Sequence, residues 1–213
     1  FRLTFLLKKS YKFLSKKVIY ISDYFIDECP GGAEISDSVL IDFLRENKVS
    51  VQKIKCSNFN MHHADTYIIS NFHRLSRKNK NFLIKESVDY IIIERDQKYV
   101  RSRNTAEYPN FIAPPSEVVN KDFYAAAKTV FCLTSKQMEI MKEHINLNNI
   151  KSLGCTQFSK EQMRILSENI DNEKNNKYAV VRGKRSDKAM AICNKNNLDF
   201  DVIENNDYKG FIQ

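Results

Sequence analysis

No two of the five cysteines, Cys29, Cys56, Cys132, Cys155 and Cys193, form a CxxC pair, and their number is odd. Most lie in or beside apolar runs, so a disulfide framework is not expected and a reduced, cytoplasmic setting is. Nowhere do ~18 or more apolar residues follow one another without interruption, so no membrane-spanning helix is expected. The opening segment FRLTFLLKKSYKFLSKK lacks the small-residue cleavage site of a secretory signal. There is no G-x-G-x-x-G, which argues against a nicotinamide enzyme, and no G-K-[ST] after a glycine-rich loop, which argues against a kinase or ATPase. Without a G-x-S-x-G elbow or a cysteine beside an evident base, a hydrolase is not the reading either.

What is present is a basic, globular composition. The 213 residues are 42% hydrophobic and 28% charged, with a formal net charge of +8 and an isoelectric point near 9.1. The chain can bury a core of one domain or one and a half. Its charge favours anionic partners: nucleic acid, phosphorylated metabolites or an acidic membrane surface. For the basic and apolar first seventeen residues two readings stand, an amphipathic helix resting on anionic lipid and an ordinary peripheral element with solvated lysines.

Strand-length apolar runs recur along the chain: KVIYISDYF, VSVQKIKC, TYIISNF, VDYIIIE, KTVFCLTS and IKSLGCT. Near-continuous apolar runs suit parallel strands covered on both faces. Between them AEISDSVLIDFLREN, RKNKNFLIKES, SKQMEIMKEHIN and SKEQMRILSENI read as helices, with Ser135 and Ser159 as N-caps and Gln162 completing a capping box. The alternation predicts an α/β fold, a doubly wound Rossmann-like parallel sheet. The polar run NIDNEKNNK marks a linker, after which strand, helix and strand recur in YAVVRG, SDKAMAICNKNN and DFDVIEN. Residues 1–172 are thus expected to form one Rossmann-like domain and 173–213 the linker and truncated start of a second, within a longer two-domain protein.

The first strand hands over to its helix through Pro30-Gly31-Gly32. In an open parallel sheet ligands lie at the carboxyl ends of the strands, and a helix N-terminus there offers free N–H groups to an anion. Glycines at 31 and 32 remove the Cβ atoms that would hold a phosphate or sugar away from the backbone; the same tripeptide also serves as a plain turn.

The segment VIYISDYFIDECPGGAEISDSVLIDFLREN resembles the opening of the N-terminal domain of GT-B glycosyltransferases of family four, where Gly-Gly-Ala-Glu leads from the first strand into a helix. The strand order, the linker and the restart at YAVVRGKRSDKAMAICNKNNLDFDVIE are similar to that architecture, whose second domain binds the donor. The resemblance implies a first domain on the acceptor side, with Gly31 and Gly32 facing the cleft. It implies that a sugar nucleotide's diphosphate is held in the second domain, where Gly183, Lys184 or Arg185, and Lys188 are the nearest matches, one residue short of the common spacing. Cations at a helix N-terminus stabilise a leaving diphosphate.

Where many relatives carry a histidine past the fourth strand, this chain has IIIERDQKYVRSRN. Glu94 and Asp96 are the catalytic candidates there, and Arg95, Lys98 and Arg103 the substrate-binding ones, at the sheet's carboxyl edge; a solvated loop is the alternative. Arg95, Lys98, Arg101 and Arg103 interleave with Tyr99 and Tyr108, a pattern of nucleic-acid surfaces that also suits a phosphorylated or lipid-linked acceptor. No RNP, helix-turn-helix or zinc pattern accompanies them, so specific nucleic-acid binding is not expected. His62-His63, Asp65 and His73 lack metal-ligand spacing, and the isolated Asp199-Phe200-Asp201 is discounted as a metal motif.

The expected function is therefore metal-independent, cofactor-free transfer of a sugar from a nucleotide-sugar donor to an unidentified acceptor, a glycan, a lipid-linked compound or another molecule. Retention of configuration follows from the resemblance alone. The alternative is a non-catalytic Rossmann-like module that holds a nucleotide or a partner.

Overall fold

The computed structural model describes residues 17–29, 31–61, 64–86, 88–154, 156–168, 170, 177–182 and 186–203. The basic segment 1–16, the His62-His63 pair and the residues Gly183, Lys184 and Arg185 lie outside these. The chain divides into two compact units, Phe1–Gln157 and Phe158–Gln213.

The first unit is built on six parallel strands: β1 (Lys17–Ser22), β2 (Ser50–Lys55), β3 (Thr66–Ile69), β4 (Tyr90–Glu94), β5 (Thr129–Cys132) and β6 (Ile150–Ser152). Their order in the sheet is β2-β1-β3-β4-β5-β6. Five helices or helical segments of note follow these strands in the chain: α1 (Gly32–Glu46), α2 (Arg77–Lys85), α3 (Lys121–Ala126), α4 (Ser135–Ile145) and, in the second unit, α5 (Lys160–Glu168). This is the expected doubly wound α/β sheet. Both faces of the inner strands β1, β3, β4 and β5 are covered, which is why they read as apolar runs, while the edge strands β2 and β6 are partly exposed and carry polar residues.

Alternation of side chains splits the core in two. Ile19, Ile21, Tyr67, Ile69, Tyr90, Ile92, Val130 and Cys132 pack with Leu83 of α2, Phe123 and Tyr124 of α3, and Met141 and Ile145 of α4. On the opposite face Val18, Tyr20, Ile68, Ile91, Ile93 and Phe131 meet Leu40, Ile41 and Leu44 of α1. The connection after β1 leads one way across the sheet and the connection after β3 the other. Their loops diverge at the carboxyl ends of β1 and β3, and such a switch point leaves a crevice.

The helix starts follow the capping chemistry, with one correction. Ser159 Oγ accepts from Gln162 N–H while Gln162 Oε1 accepts from Ser159 N–H, a reciprocal capping box. At α4 the cap is Thr134, not Ser135: Thr134 has extended backbone and its hydroxyl oxygen accepts from Gln137 N–H at 3.1 Å, which leaves Ser135 as the first helical residue. Helix α3 and the run of 3₁₀ turns between Thr105 and Glu117 were not foreseen.

In the second unit β7 (Tyr178–Val181) and β8 (Phe200–Ile203) pair in parallel and are joined through α6 (Ser186–Lys195). The division between units falls ahead of α5, which belongs to the second. No helix among the described residues is long and apolar enough to cross a membrane.

Candidate active site

At the carboxyl end of the sheet, on the face that α1 covers, the strand period of two continues past the apolar residues into polar ones. Ser70 follows Ile68 and Arg95 follows Ile93. Asp37 belongs to the same helical stripe as Leu40, Ile41 and Leu44 and is turned onto them, 1% exposed. Its Oδ1 accepts hydrogen bonds from Tyr20 OH at 2.8 Å, Ser70 Oγ at 3.0 Å and Arg95 Nη1 at 2.5 Å. Arg95 also donates to Ser70 Oγ and, through Nη2, to Ser36 Oγ at 3.2 Å. Ser36 Oγ in turn donates to Gln157 Oε1.

Burial opposes the charge on Arg95, and the Asp37 carboxylate together with Tyr20 and Asp96 more than offsets it, so the guanidinium is held ionised. Burial first and the same carboxylate second push the Tyr20 hydroxyl well above its ordinary value. Among the described residues Asp37 Oδ2 and Gln157 Nε2 find no hydrogen-bond partner. A buried acceptor and a buried donor left open in one network are unusual in a region that serves packing alone.

The α1 N-terminus opens beside this network. Gly31 is the N-cap with φ −80°, so no positive φ demands glycine there. A Cβ at 31 would lie 2.5 Å from Glu34 Oε2, the end of a side chain that would have to turn away, whereas a Cβ at 32 would meet nothing within 4 Å. Gly31 thus makes room for Glu34, a carboxyl that burial raises above its ordinary value, and Gly32 keeps the helix start open.

The β4 end carries a second cluster. Glu94 is fully buried; its carboxylate accepts from Tyr124 OH and, at 3.3 Å, from Lys98 N–H. Asp96 is partly exposed and accepts from Lys98 Nζ at 3.1 Å and Arg103 Nη2 at 2.9 Å. Burial pushes its carboxyl up, but the charges and hydrogen bonds of Lys98 and Arg103 outweigh this and hold it below the usual value. Arg101 points to Glu117 instead, at 3.5 Å. Across the crevice Asp23 receives His73 N–H and Arg74 N–H, both at 2.9 Å, and so fixes the loop after β3.

The structure therefore gathers Asp96, Lys98 and Arg103 in one cluster and ties Arg95 to α1 just past Gly31 and Gly32. Lys188 is an exposed residue of α6 in the second unit. Lys177 forms ion pairs with Asp199 and Asp201. Among the described residues no group of three or more His, Cys, Asp or Glu side chains is placed to share a metal ion. Sequence reading missed Asp37, Ser70, Asp23 and Tyr124. For Asp37 a signal existed, an acid in register with the apolar stripe of an amphipathic helix.

Chemically, this edge presents an open helix start and, in Asp96, a partly exposed carboxylate between two cations, while Arg95 and the hydroxyls around it are buried and hold β4 to α1. Such a set binds a hydroxylated, anionic ligand by directed hydrogen bonds.

No protein-family model matches the chain, and no curated protein matches it either. A solved structure of an alpha-glucosyltransferase, in complex with UDP and a 13-mer DNA containing an HMU base, is similar in fold: the TM-score is 0.52 with 11% sequence identity, over 89% of this chain and 67% of that one. The chain thus shares its Rossmann-like α/β fold with that structure.

Proposed function

We propose that the protein transfers a sugar from a nucleotide-sugar donor to an acceptor held at the carboxyl edge of the first unit. The observation that carries this reading is the fold likeness over 89% of the chain to an enzyme whose structure holds UDP. The GT-B family-four architecture, a metal-independent mechanism and retention of configuration belong to the same proposal. So does the division of labour between an acceptor-side domain, 1–172, and a donor-binding region, 173–213.

In this reading Lys184 or Arg185, with Lys188, neutralises the departing diphosphate, and positioned cations do this without reorganising as charge builds. Gly31 and Gly32 let ligand approach the α1 N-terminus. Asp96, ionised and partly exposed, accepts a hydrogen bond from the acceptor; a carboxyl held low is a weak base, so its contribution is orientation more than proton removal. Lys98 and Arg103 keep Asp96 charged. Arg95 fixes the β4 end to α1, and Glu94, buried against Tyr124, shapes the loop that carries Asp96 rather than meeting substrate.

Thermal-shift measurements against UDP-, GDP- and ADP-sugars, with NAD and free nucleotides beside them, test the reading, because a ligand of the native state raises the melting temperature. One sugar nucleotide should stand out, and Lys188→Ala should abolish its shift. Stabilisation by a free nucleotide with no preference for its sugar conjugate would instead favour the non-catalytic binding module. That rival draws support from Glu94, a catalytic candidate that is fully buried.

A further inference from the structure

The nature of the acceptor can be read from the α2 side of the same edge. Helix α2 starts at Arg77 after the Ser76 cap and has no acidic residue in its first turn. Arg77, Lys78 and Lys80 stand there instead, where the helix dipole disfavours cations. Arg74, in the loop that Asp23 fixes, stacks on the Tyr24 ring at 4.7 Å. Among the described residues none of Arg74, Arg77, Lys78 and Lys80 forms an ion pair, whereas Lys53, Lys55, Arg101 and Lys128 do.

Two of the cations lie against one aromatic ring. Lys80 Nζ lies 5.2 Å and Lys98 Nζ 5.5 Å from the centre of the Phe72 ring. Lys80 is half-buried, donates to the neutral Oδ1 of Asn120 at 3.0 Å, and has its ammonium lowered from the ordinary value by burial, which Cys56 and Asp23 only partly oppose. Lys98 is 4% exposed; its ammonium pairs with Asp96, which is shared with Arg103, and its N–H donates to Glu94. Asp23, which acts on Lys80, has both oxygens engaged by backbone N–H groups. Asn120, in a left-handed conformation at φ 58°, joins the pair: its Oδ1 takes Lys80 and its Nδ2 donates to the Lys98 carbonyl. Counted with Arg74, Arg77 and Lys78, the cations Lys80, Lys98 and Arg103 make six against the three acids Asp23, Glu94 and Asp96, and Lys80, half-buried, has no carboxylate partner among the described residues, which is unfavourable for an ammonium.

We propose that Lys80 and Lys98, flanked by Arg74, Arg77 and Lys78, form an anion site for a phosphate group borne by the acceptor, an inference that rests on the transferase reading above. A phosphate dianion matches the excess charge and offers oxygens enough for several ammonium donors. A carboxylate brings one charge and leaves the rest of the cluster unmatched. The phosphate is carried either by a soluble ester or by a lipid headgroup, and both present the same group.

The test is titration of the full chain with inorganic phosphate, followed by NMR amide shifts in the presence and absence of saturating UDP. Saturable shifts centred on residues 72–80, 98 and 120, unchanged by UDP, are expected. Lys80→Met should weaken binding at least tenfold and Lys80→Arg should retain it. If Lys80→Met does not fold, the Arg77→Gln/Lys78→Gln pair, both exposed, should weaken binding about threefold. Absence of saturation, displacement by UDP, or unchanged affinity in both variants overturns the site. Sedimentation with phosphatidylglycerol vesicles, against phosphatidylcholine alone, separates the sources: Lys80-dependent sedimentation assigns the phosphate to lipid, and its absence beside retained phosphate binding assigns it to a soluble acceptor. Nucleotide-sugar stabilisation is read on the same samples. Its loss with phosphate binding intact removes the transferase reading and keeps the anion site; the reverse removes the anion site alone.

Discussion

Asp37→Ala leaves the Arg95 guanidinium without its carboxylate while the surrounding helix and sheet remain. Arg95's side chain is 7% exposed and Asp37's 1%, so the change strands a buried charge. Removing one partner of a buried pair costs about 3–5 kcal/mol. Tyr20 OH and Ser70 Oγ lose their acceptor at the same time, which adds about 1 kcal/mol or more, part of it already contained in the first figure. A loss of about 4 kcal/mol lowers the melting temperature of a unit of this size by roughly 8–16 °C. Replacing both partners, Asp37→Leu with Arg95→Met, removes the stranded charge and should recover most of the loss, since apolar replacement of a whole buried pair is often neutral. Urea unfolding followed by near-ultraviolet circular dichroism suits the assay, because Tyr20, Tyr67, Tyr90, Tyr99 and Tyr124 are all buried in the first unit. A single variant that loses less than ~1 kcal/mol, or a double variant that loses the sum of both singles, refutes the claim that this pair ties β4 to α1.

Other expectations follow from the same geometry. Gly32→Ala meets no atom and gains helix propensity, so it should leave the fold as stable or up to ~1 kcal/mol more stable; if the open helix start receives ligand, affinity should fall in a titration with the stabilising sugar nucleotide or with acceptor. Asp96 has a folded carboxyl held below its ordinary value, so its stabilisation is complete above about pH 3.9 and is lost as pH falls through the folded value. Asp96→Asn should therefore cost stability at pH 7, under ~1 kcal/mol because the pair is partly solvated, and progressively less as pH falls below about 3.9, as acid-series melts would show. Burial pushes the Cys132 thiol up to about 12 and raises that of Cys56 further, whereas Cys29 is exposed; peptide mapping after brief alkylation should find label on Cys29 and none on Cys56 or Cys132 until urea is added. Lys80→Met should raise the melting temperature in phosphate-free buffer, because the half-buried ammonium is disfavoured at neutral pH.

The sheet was legible because parallel strands with two covered faces leave unbroken apolar runs such as VIYIS and YIIIE, and each such run became a strand. Boundaries were expected too long, as at KVIYISDYF, because Asp23 and Phe25 belong to the loop that rises from the carboxyl edge. Helix α3, KDFYAA, is too short to show a period, and its start at Asn120 in a left-handed conformation carries no ordinary cap. Thr134 and Ser135 are both good caps, and sequence alone has no means to rank neighbours. The candidate site was legible in place but not in roles. Glu94, Arg95 and Asp96 are consecutive, yet strand alternation sends Glu94 toward Tyr124 on the α3 side and Arg95 toward Asp37 on the α1 side. Asp96 lies past the last strand residue and turns toward Lys98 and Arg103. The partners that decide these fates are 25 to 58 residues away in the chain, at Ser70, Tyr124 and Asp37.

The central claim, that the chain uses a nucleotide-activated sugar, is tested most directly by calorimetric titration of the protein with the sugar nucleotides, beginning with UDP-sugars. Saturable binding of one of them is expected, tighter than that of its free nucleotide and lost in Lys188→Ala. Folded protein that gives no heat with any sugar nucleotide contradicts it.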